Sequence, residues 1–449
     1  MAAVSRLTYA AVLDRLAAAG SVKPGLERTE VLLEALAHPE AGMRGVLVAG
    51  TNGKGSVCAI VESVCRAAGL RTTMLTNPHL RSYCERIAVD GIPLSEDAFA
   101  DVVEAVLSAV PGGRSPEQTP TQFEILTAAG LLAAARADSD VLVCEVGLGG
   151  RLDSTNVLDL GVSVITNVSL EHEALLGSTV ERIAAEKAAI IKPGNDVVTA
   201  AHGGALAAIR ARAAAVGAGI TALGADVAIR GRSLGMAGIE VSLSPGAGHA
   251  WRLPLRGEHQ VVNAATALAA CLAMARRGLP LGHEAMARGA ATVRWPGRME
   301  WREGQPCLLL DGAHNPAGME AMTAAAAELC SGRRVVGLFG AMVDKKAAAM
   351  LAALRKLTDL AVFTRVSDAR ARDPFELASA WSEGGHPIAE PAEALATARR
   401  LAGPDGVVVV CGSLYLVAEI LACLDGPTPV AVPPGARSKP SPGRRPAWP

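Results

Sequence analysis

The sequence predicts an α/β fold: an N-terminal P-loop domain with a mostly parallel sheet, followed by a smaller C-terminal Rossmann-like α/β domain. Three observations predict it. Short apolar strands alternate with helices along the chain, the strands are uninterrupted by polar residues, and a second strand–helix series begins after Trp295. Uninterrupted apolar strands are typical of parallel sheets whose two faces are covered by helices.

The elements of the first domain follow this alternation. The predicted strands cover residues 46–49, 140–146 and 162–168. Thr119 and Ser178 are predicted to cap two later helices, with Gln122 and Glu181 completing their capping boxes. A hairpin region is expected between about residues 226 and 257, followed by a helix over about 261–276.

The second strand–helix series predicts a separate domain. Its strands are expected at residues 307–310, 335–339, 360–363 and 407–411. We therefore divide the chain into domains at 1–295 and 296–425. The remaining segment, 426–449, is rich in Pro and Arg and lacks an apolar period, which predicts a disordered tail.

Composition excludes several classes of protein. A net charge of −1 and only 3% aromatic residues argue against a nucleic-acid partner. No uncharged run approaches the roughly 20 residues of a membrane span, and Asp14 and Arg15 interrupt the N-terminal apolar stretch. Nine cysteines without a CxxC pair predict core thiols in a reducing compartment. We expect a cytoplasmic protein without a membrane partner.

A glycine-rich loop joins the first strand to the next helix. Its residues are Gly50, Thr51, Asn52, Gly53, Lys54, Gly55 and Ser56. Such a loop turns backbone N–H groups towards phosphate oxygens, and the helix N-terminus adds its positive end. Lys54 would neutralise the β- and γ-phosphates and Ser56 would hold Mg²⁺. This shortened relative of the GxxxxGK[ST] loop predicts ATP and Mg²⁺ as cofactors.

Lys187 lies on an apolar helical stripe with Val180, Ile183 and Ala184, so its side chain should face inward. Burial favours the neutral amine, which can react with CO₂ to form a carbamate, a carboxylate able to hold Mg²⁺. A lysine that packs its stem and exposes its ammonium group would show the same spacing. The sequence alone leaves both interpretations open.

Other polar residues lie where strands are predicted to end. Glu145 and His172 each follow an apolar strand, and the carboxyl ends of parallel strands form the ligand crevice of such sheets. Taken alone, a surface acid and a structural histidine would be the commoner explanations. Arg298 lies at the predicted domain junction, where it could clamp a phosphate or simply make surface contacts.

The loop after residue 310 is partly explained by helix capping. Asn315 can cap the following helix and Pro316 suits its first turn. Capping leaves Asp311 and His314 without a structural explanation. Ser413 lies at the predicted start of the last helix, a position suited to an anion.

Ten segments, in order, resemble the folylpolyglutamate synthase/dihydrofolate synthase family of the Mur-ligase group. They are AGTNGKGS, TNPHL, ERI, EVGLGGRLDSTN, ITNVSLEH, GSTVERIAAEKAAIIKPG, GEHQVVNAA, WPGRMEW, DGAHNP and GSLYLV, which together span about residues 5–425. The resemblance implies a ligase with an ATP-binding first domain and a glutamate-ligase second domain. A substrate carboxylate would attack the γ-phosphate of ATP, and the amine of glutamate would then displace phosphate from the acyl phosphate.

The resemblance also implies metal ligands. Ser56, Glu145, His172 and a carbamylated Lys187 are expected to hold Mg²⁺, two ions in all. The family usually has Asp where this chain has Glu171.

Further roles follow from the same resemblance. Adenine is expected near Asn263, the γ-phosphate near Arg298 and the ribose near Asp311. His314 and Ser413 are expected to contact the incoming L-glutamate.

The acceptor site is expected elsewhere in the first domain. Asp153 is implied as a pterin contact, and the TNPHL loop should cover the pterin, with Tyr83 shaping the pocket. Asn77 stands where the family usually has Ser. The acceptor is expected to be dihydropteroate, a reduced folate or both, and the enzyme is expected to be a monomer.

Three other functions fit parts of the sequence. A cell-wall Mur ligase would share the phosphate loop and the lysine, although EVGLGGRLDSTN and TNPHL favour a folate acceptor. A nucleotide switch or nucleic-acid motor would have no evident use for DGAHNP and GSLYLV. A catalytically inactive relative is disfavoured because Lys54, Lys187 and Arg298 are all present.

Overall fold

The computed structural model describes residues 7–20, 23–110, 112, 115, 117–244, 249–381 and 383–426. Its helices are α1 Tyr9–Ala18, α2 Glu27–Ala35, α3 Lys54–Ala67, α4 Glu96–Ala109, α5 Gln122–Arg136, α6 Glu173–Leu176, α7 Val180–Ala188, α8 Gly203–Ala215, α9 His259–Arg276, α10 His283–Thr292, α11 Pro316–Leu329, α12 Ala347–Arg355, α13 Pro374–Trp381, α14 Pro391–Ala402 and α15 Leu414–Asp425. The predicted tail beyond residue 426 lies outside the described residues.

Seventeen strands form three sheets in the described part of the chain. They are β1 Gly45–Ala49, β2 Thr72–Leu75, β3 Ile87–Val89, β4 Ile92–Pro93, β5 Val141–Glu145, β6 Gly161–Ile165, β7 Asp196–Thr199, β8 Gly219–Ala222, β9 Ala228–Ser233, β10 Ile239–Ser244, β11 Trp251–Leu253, β12 Glu300–Arg302, β13 Cys307–Leu310, β14 Val335–Phe339, β15 Ala361–Phe363, β16 Gly385–Pro387 and β17 Val407–Cys411.

The largest sheet confirms the predicted first α/β layer. Its strand order is β4-β3-β2-β5-β1-β6-β7-β8, and the pairs from β2 to β8 are parallel. β3 and β4 extend one edge in antiparallel pairs. Because β1 lies between β5 and β6, the carboxyl ends of these three strands open onto the same edge.

The predicted hairpin region is a three-stranded antiparallel sheet in the order β11-β10-β9. Alternate residues of β10 are buried, and Ile239, Val241 and Trp251 join the same core cluster as the inner face of α9. This small sheet therefore anchors the helix that carries Asn263. That helix begins at His259, so Asn263 lies one turn inside it rather than at its start.

The second α/β sheet has the order β12-β13-β17-β14-β15-β16. All its neighbouring pairs are parallel except β12 with β13. Apolar clusters cover both faces, one with Leu309 and Phe363 and the other with Leu310 and Val362. The observed sheet confirms the predicted Rossmann-like unit. The bounds 1–295 and 296–425 stay a prediction.

Two predicted helix caps are wrong by one or two residues. Thr121, not Thr119, caps α5: its hydroxyl accepts from the N–H of Glu124, whose side chain returns a bond to the Thr121 N–H. Thr179, not Ser178, caps α7 and accepts from the N–H of Arg182. In each case the cap is the residue directly before the first helical residue, and its oxygen accepts from the third helical N–H group.

Strand β6 ends three residues earlier than predicted, at Ile165 instead of residue 168. The residues that follow leave the ladder because their polar groups bond the glycine-rich loop instead. Among the described residues, no helix combines the length and apolar character needed to cross a bilayer.

Candidate active site

The glycine-rich loop turns from β1 into α3 at the carboxyl edge of the large sheet. Gly50 has φ 149°, and a Cβ on it would stand 1.8 Å from Thr166 Oγ1. Gly53 has φ 84°, and its Cβ would stand 2.2 Å from Asn263 Oδ1. Both positions require glycine because the backbone is left-handed and the neighbouring side chain leaves no space.

Residues after β6 fix the loop from one side. Thr166 Oγ1 donates to the carbonyl of Asn52 at 2.7 Å, and Asn167 Nδ2 donates to the same carbonyl at 3.0 Å. Asn167 Oδ1 accepts from the Asn52 N–H at 3.0 Å, and the Thr51 hydroxyl exchanges bonds with the backbone of Ser169. These bonds hold the loop against the first sheet. Sequence analysis missed this role, although the ITNVS segment after an apolar strand carried the signal.

Lys54, the first residue of α3, is half-buried over the loop. Its Nζ donates to the carbonyls of Gly50 at 3.0 Å and Thr51 at 3.2 Å. It forms no ion pair within the described part of the chain. Ser56, two residues further along α3, is buried beneath the loop. An ammonium group without a carboxylate partner at a helix N-terminus suits a phosphate.

Lys187 lies beneath the loop, with its side chain only 2% exposed. Its Nζ donates to the Gly50 carbonyl at 3.0 Å and to Glu171 Oε1 at 2.7 Å. The predicted inward orientation is confirmed, and the alternative of an exposed ammonium group is wrong. Burial lowers the pKa of the Lys187 amine, while Glu171 opposes this effect.

Glu171 keeps a negative charge beside Lys187. Burial raises the pKa of its carboxyl, but the ammonium groups of Lys187 and Lys54 outweigh burial and hold the pKa below its ordinary value. Since the family usually has Asp here, the longer side chain of Glu171 explains how it reaches Lys187 Nζ. The sequence did not reveal this contact, because the two residues are 16 positions apart.

Glu145 ends β5 next to the loop and is buried. One oxygen accepts from the Asn77 N–H at 3.3 Å, and no ion pair of Glu145 occurs among the described residues. Burial raises the pKa of its carboxyl, with Lys54 opposing. A desolvated carboxylate without a bonded cation fits a divalent metal ion.

The described residues contain no group of three His, Cys, Asp or Glu side chains arranged as a metal site. Mg²⁺ commonly takes one or two protein carboxylates and completes its shell with phosphates and water. Glu145 and the Ser56 hydroxyl fit that pattern. His172 is exposed, with φ 45°, at the start of α6 on the same edge of the sheet.

The second sheet contributes the loop after β13. Asp311 is buried, and its two oxygens accept from the N–H groups of Met299 at 2.9 Å and Ala313 at 2.8 Å. His314 Nδ1 lies 2.9 Å from the Gly312 carbonyl, so Nδ1 carries the proton and Nε2 keeps its lone pair. Burial, together with Arg298, Lys345 and Lys54, lowers the pKa of His314 to about 4, although the bond to the Gly312 carbonyl opposes this effect.

Arg298 lies between the two halves of the chain and acts electrostatically on both. Arg298 lies close enough to affect the pKa of Glu145 in the first sheet and of His314 in the second. Its guanidinium donates to the Gly297 carbonyl at 3.2 Å and forms no ion pair within the described residues. Lys54 and Arg298 are thus two unpaired cations facing one cleft around a neutral imidazole.

The remaining predicted residues lie around this centre. Asn263 is buried against Gly53, and its Nδ2 donates to Gln260 Oε1 at 3.0 Å. Ser413 caps α15 by accepting from the Tyr415 N–H at 3.1 Å. Both are placed by α9 and α15 at the edges of the cleft, and their ligand contacts stay predictions.

Asp153 stabilises the loop in which it lies through hydrogen bonds. Its carboxylate accepts from the Leu148 N–H at 2.8 Å and from the N–H and hydroxyl of Thr155 at 3.0 and 2.5 Å. These bonds shape the GLGGRLDST loop. A direct pterin contact of Asp153 stays a prediction.

The TNPHL loop forms one wall of a cavity of about 1080 Å³ that reaches Arg298. Arg86 donates to His79 Nδ1 at 2.8 Å and to Asn77 Oδ1 at 2.6 Å, and it lies over the ring of Tyr83. Burial, together with Arg86, lowers the pKa of His79 to about 3. Tyr83 lines the cavity, as expected of a residue that shapes the pocket.

Comparison with known proteins follows the same division of the chain. Residues 48–271 match the Mur ligase middle domain, and residues 297–414 match the glutamate ligase domain of Mur ligases. The dihydrofolate synthase/folylpolyglutamate synthase of Bacillus subtilis is 34% identical over 412 residues, which are 89% of this chain and 94% of that protein. The chain belongs to the folylpolyglutamate synthase/dihydrofolate synthase family.

Another relative is longer. A probable bifunctional folylpolyglutamate synthase/dihydropteroate synthase of Halobacterium salinarum is 38% identical over 408 residues, 88% of this chain. The chain spans about half of that protein, since the match covers 49% of its length.

Solved structures of the family share the whole architecture. The Mycobacterium tuberculosis folylpolyglutamate synthase complexed with ADP matches with a TM-score of 0.87 and 31% identity, over 94% of this chain and 99% of that one. A bifunctional folylpolyglutamate synthase/dihydrofolate synthase with Mn, AMPPNP and L-glutamate bound matches with a TM-score of 0.83 and 31% identity, over 93% and 98% of the two chains.

Lys345 is a site residue that sequence analysis missed. It follows the loop after β14, pairs with Asp344 at 2.9 Å and lowers the pKa of both His172 and His314. The segment GAMVDKK carried the signal, a lysine pair just beyond the end of an apolar strand. Lys345 is thus the third cation near the cleft, after Lys54 and Arg298, and it lies on the second-domain side.

Proposed function

We propose that this chain is an ATP- and Mg²⁺-dependent ligase that joins L-glutamate to a folate-type carboxylate. The observation that carries the proposal is the convergence of Lys54 and Arg298, two cations without carboxylate partners, on the neutral His314. Such a cleft suits the triphosphate of ATP and the acyl phosphate formed from it. Family membership supports the same reaction.

The reaction has two chemical steps, and different residues of the cleft serve each step. The first step is attack of the acceptor carboxylate on the γ-phosphate, with ADP leaving. Lys54 and Arg298 hold the transferring phosphoryl group and offset its charge. The second step is attack of the glutamate amine on the acyl carbon, with phosphate leaving. His314 Nε2 accepts a hydrogen bond from the amine and orients it, while Ser413 binds a glutamate carboxylate.

The metal assignment is also a proposal. Ser56 and Glu145 hold one Mg²⁺, and His172 with a carbamylated Lys187 holds a second. Bound Mg²⁺ supplies charge neutralisation for the phosphates. Support comes from the burial of Glu145 without an ion pair and from the lowered pKa of Lys187. Asn263 and Asp311 border the adenine and ribose of ATP.

The acceptor is proposed to be dihydropteroate, reduced folates, or both in one bifunctional enzyme. The relatives named above are folate enzymes, so a cell-wall Mur ligase acting on a nucleotide sugar is not supported. Asp153 and the TNPHL loop would border the pterin. We further propose that the enzyme is a monomer with an ATP-binding domain at 1–295 and a glutamate-ligase domain at 296–425.

The decisive experiment measures glutamate-dependent phosphate release by the full chain with MgATP. Dihydropteroate, tetrahydrofolate and a nucleotide-sugar carboxylate are offered separately. Release with both pteridines would establish two activities, and release with one would restrict the enzyme to that activity. Release only with the nucleotide sugar, or no release with any of the three acceptors, would overturn the proposal.

A variant links the activity to the cleft. Lys54→Met should lower kcat/KM by about 10²–10³-fold, the loss typical of removing one group that stabilises transition-state charge. Lys356→Met is the matched control, because Lys356 is exposed and pairs with Glu320 at 2.7 Å on α11, outside the cleft. Equal effects of the two variants would contradict the assignment of Lys54.

A further inference from the structure

Two asparagine side chains bond to each other across the cleft. Asn315 Nδ2 donates to Asn52 Oδ1 at 2.9 Å, and Asn52 Nδ2 lies 3.4 Å from Asn315 Oδ1. Asn52 belongs to the glycine-rich loop, and Asn315 lies 263 positions later in the loop that carries His314. This pair, the asparagine bridge, directly joins the proposed nucleotide site to the proposed glutamate site.

The loop does not need the Asn52 side chain to hold its shape. Its backbone N–H and carbonyl are already bound by Thr166 and Asn167 on the first-sheet side. The side-chain amide of Asn52 instead bonds Asn315, so a shift of the glycine-rich loop would move its contact with the second sheet. Nucleotide phosphates lying on the loop would fix that position.

Asn315 has two separate tasks on its own side. Its Oδ1 accepts from the Gly318 N–H at 2.8 Å and caps α11. Its Nδ2 reaches Asn52 instead of solvent. Residue 318 is a glycine, which lets Asn315 Oδ1 lie close to the backbone at this position. A Cβ there would lie only 3.2 Å from that oxygen. His314 directly precedes Asn315, so the bridge and the cap together hold the backbone that carries the imidazole.

A second contact across the cleft is different in kind. Lys346 Nζ pairs with Glu173 Oε1 between loops of the two sheets, but the two side chains are 61% and 34% exposed. An exposed ion pair is screened by salt and contributes little to a fixed geometry. The asparagine bridge is neutral, partly buried and reciprocal, which gives it a defined geometry.

We propose that the asparagine bridge couples nucleotide binding to L-glutamate binding, with Asn52 and Asn315 acting as positioning residues. A nucleotide bound on the loop fixes the position of Asn52 relative to Asn315 and thereby helps to place His314, so glutamate binds more tightly to the nucleotide complex. Linkage makes the effect reciprocal, and glutamate must tighten nucleotide binding by the same factor. The inference rests on the proposed function, because it takes His314 as a glutamate contact.

The test measures binding of AMPPNP with Mg²⁺ to the full chain by calorimetry, with and without saturating L-glutamate. In the unaltered protein, glutamate should tighten AMPPNP binding by about fivefold or more, the usual range of coupling between sites. In Asn315→Ser the ratio should fall to within about twofold of one. Serine keeps the α11 cap but is too short to reach Asn52.

Further variants separate coupling from folding. Asn315→Ala removes both cap and bridge, so its thermal midpoint should fall while that of Asn315→Ser stays near the unaltered value. Asn52→Ala removes the bridge from the other side, and Asn52→Ala/Asn315→Ser should lose no more coupling than either change alone. Lys346→Met is the control and should keep the ratio.

Each result decides a separate question. A coupling ratio of one in the unaltered protein, or full coupling in Asn315→Ser, would overturn the bridge. Loss of coupling in Lys346→Met to the same extent would show general domain contact instead, which also overturns it. Glutamate-dependent phosphate release by the unaltered protein is measured in parallel, and its absence would count against the proposed function.

Discussion

Lys187 shows how burial and one partner set the chemistry of a side chain. Its Nζ has two bonded acceptors, the Gly50 carbonyl and the Glu171 carboxylate. Burial favours the neutral amine, and Glu171 favours the ammonium form. Carbamylation by CO₂ exchanges the ammonium cation for a carbamate anion and releases two protons, one on forming the neutral amine and one on its addition to CO₂. A bound metal ion would compensate for the new charge beside Glu171.

We predict that Lys187 is carbamylated in the magnesium-bound protein. With ¹³C-bicarbonate and Mg²⁺, NMR should show one carbamate carbon that disappears in Lys187→Arg, and that variant should lose phosphate release by about 10²-fold or more. Lys192→Met is the matched control. Burial also lowers the pKa of Lys192, but its Nζ bonds the Asn156 carbonyl away from the loop. An active enzyme without the carbamate signal would refute the prediction.

At the scale of elements, α5 shows why a cap is hard to place from sequence. Thr119 and Thr121 flank Pro120, and both can cap in principle. The reciprocal bonds of Thr121 with Glu124 decide between them. Glu124 also binds Arg28 at 2.7 Å, a contact 96 residues away in sequence. The Arg28–Glu124 ion pair thereby links the cap of α5 to helix α2.

The two threonines give a prediction about stability. Thr121→Ala should destabilise the first domain by about 1 kcal/mol, because it leaves the Glu124 N–H without its cap. Thr119→Ala should change stability by less than about 0.5 kcal/mol, since Thr119 is exposed and bonds only within its turn. The shift of the urea midpoint measures both. A larger shift for Thr119→Ala would restore the original sequence-based cap.

For the molecule as a whole, the cleft lies between two separately built α/β sheets. Ligands that contact both sheets therefore add to the polar contacts that join the two units, among them Asn52–Asn315, Glu173–Lys346 and Ser233–Glu328. Such ligands stabilise the folded chain by an amount that grows with the logarithm of their concentration relative to Kd. The proposed nucleotide and metal ion should both contribute.

We predict that AMPPNP at about 100 times its Kd raises the stability of the chain by about 2.7 kcal/mol in the presence of Mg²⁺. Most of this gain should vanish with EDTA, because the metal neutralises phosphate charge beside Glu145. Glu145→Gln should bind the nucleotide with little dependence on Mg²⁺. Urea midpoints with each addition provide the measurement. An EDTA-resistant gain in the unaltered protein would exclude Glu145 as a metal ligand.

Sequence by itself determined the fold class, the glycine-rich loop between β1 and α3 and the placing of Glu145 at a strand end. These features are local: apolar runs, glycine spacing and helical periodicity reside in neighbouring residues. It also determined that Asn315 caps a helix and that Ser413 lies at the start of one, since both features involve only the next few residues.

Only the tertiary structure decided which distant groups meet. The Glu171 partner of Lys187, the Thr166 and Asn167 support of the loop and the Asn52–Asn315 bridge all join segments separated in sequence. The physical reason is that parallel strands far apart in the chain end on the same edge of a sheet, and two such edges face one cleft. A side chain's partner, burial and pKa follow from that assembly, and no local pattern encodes them.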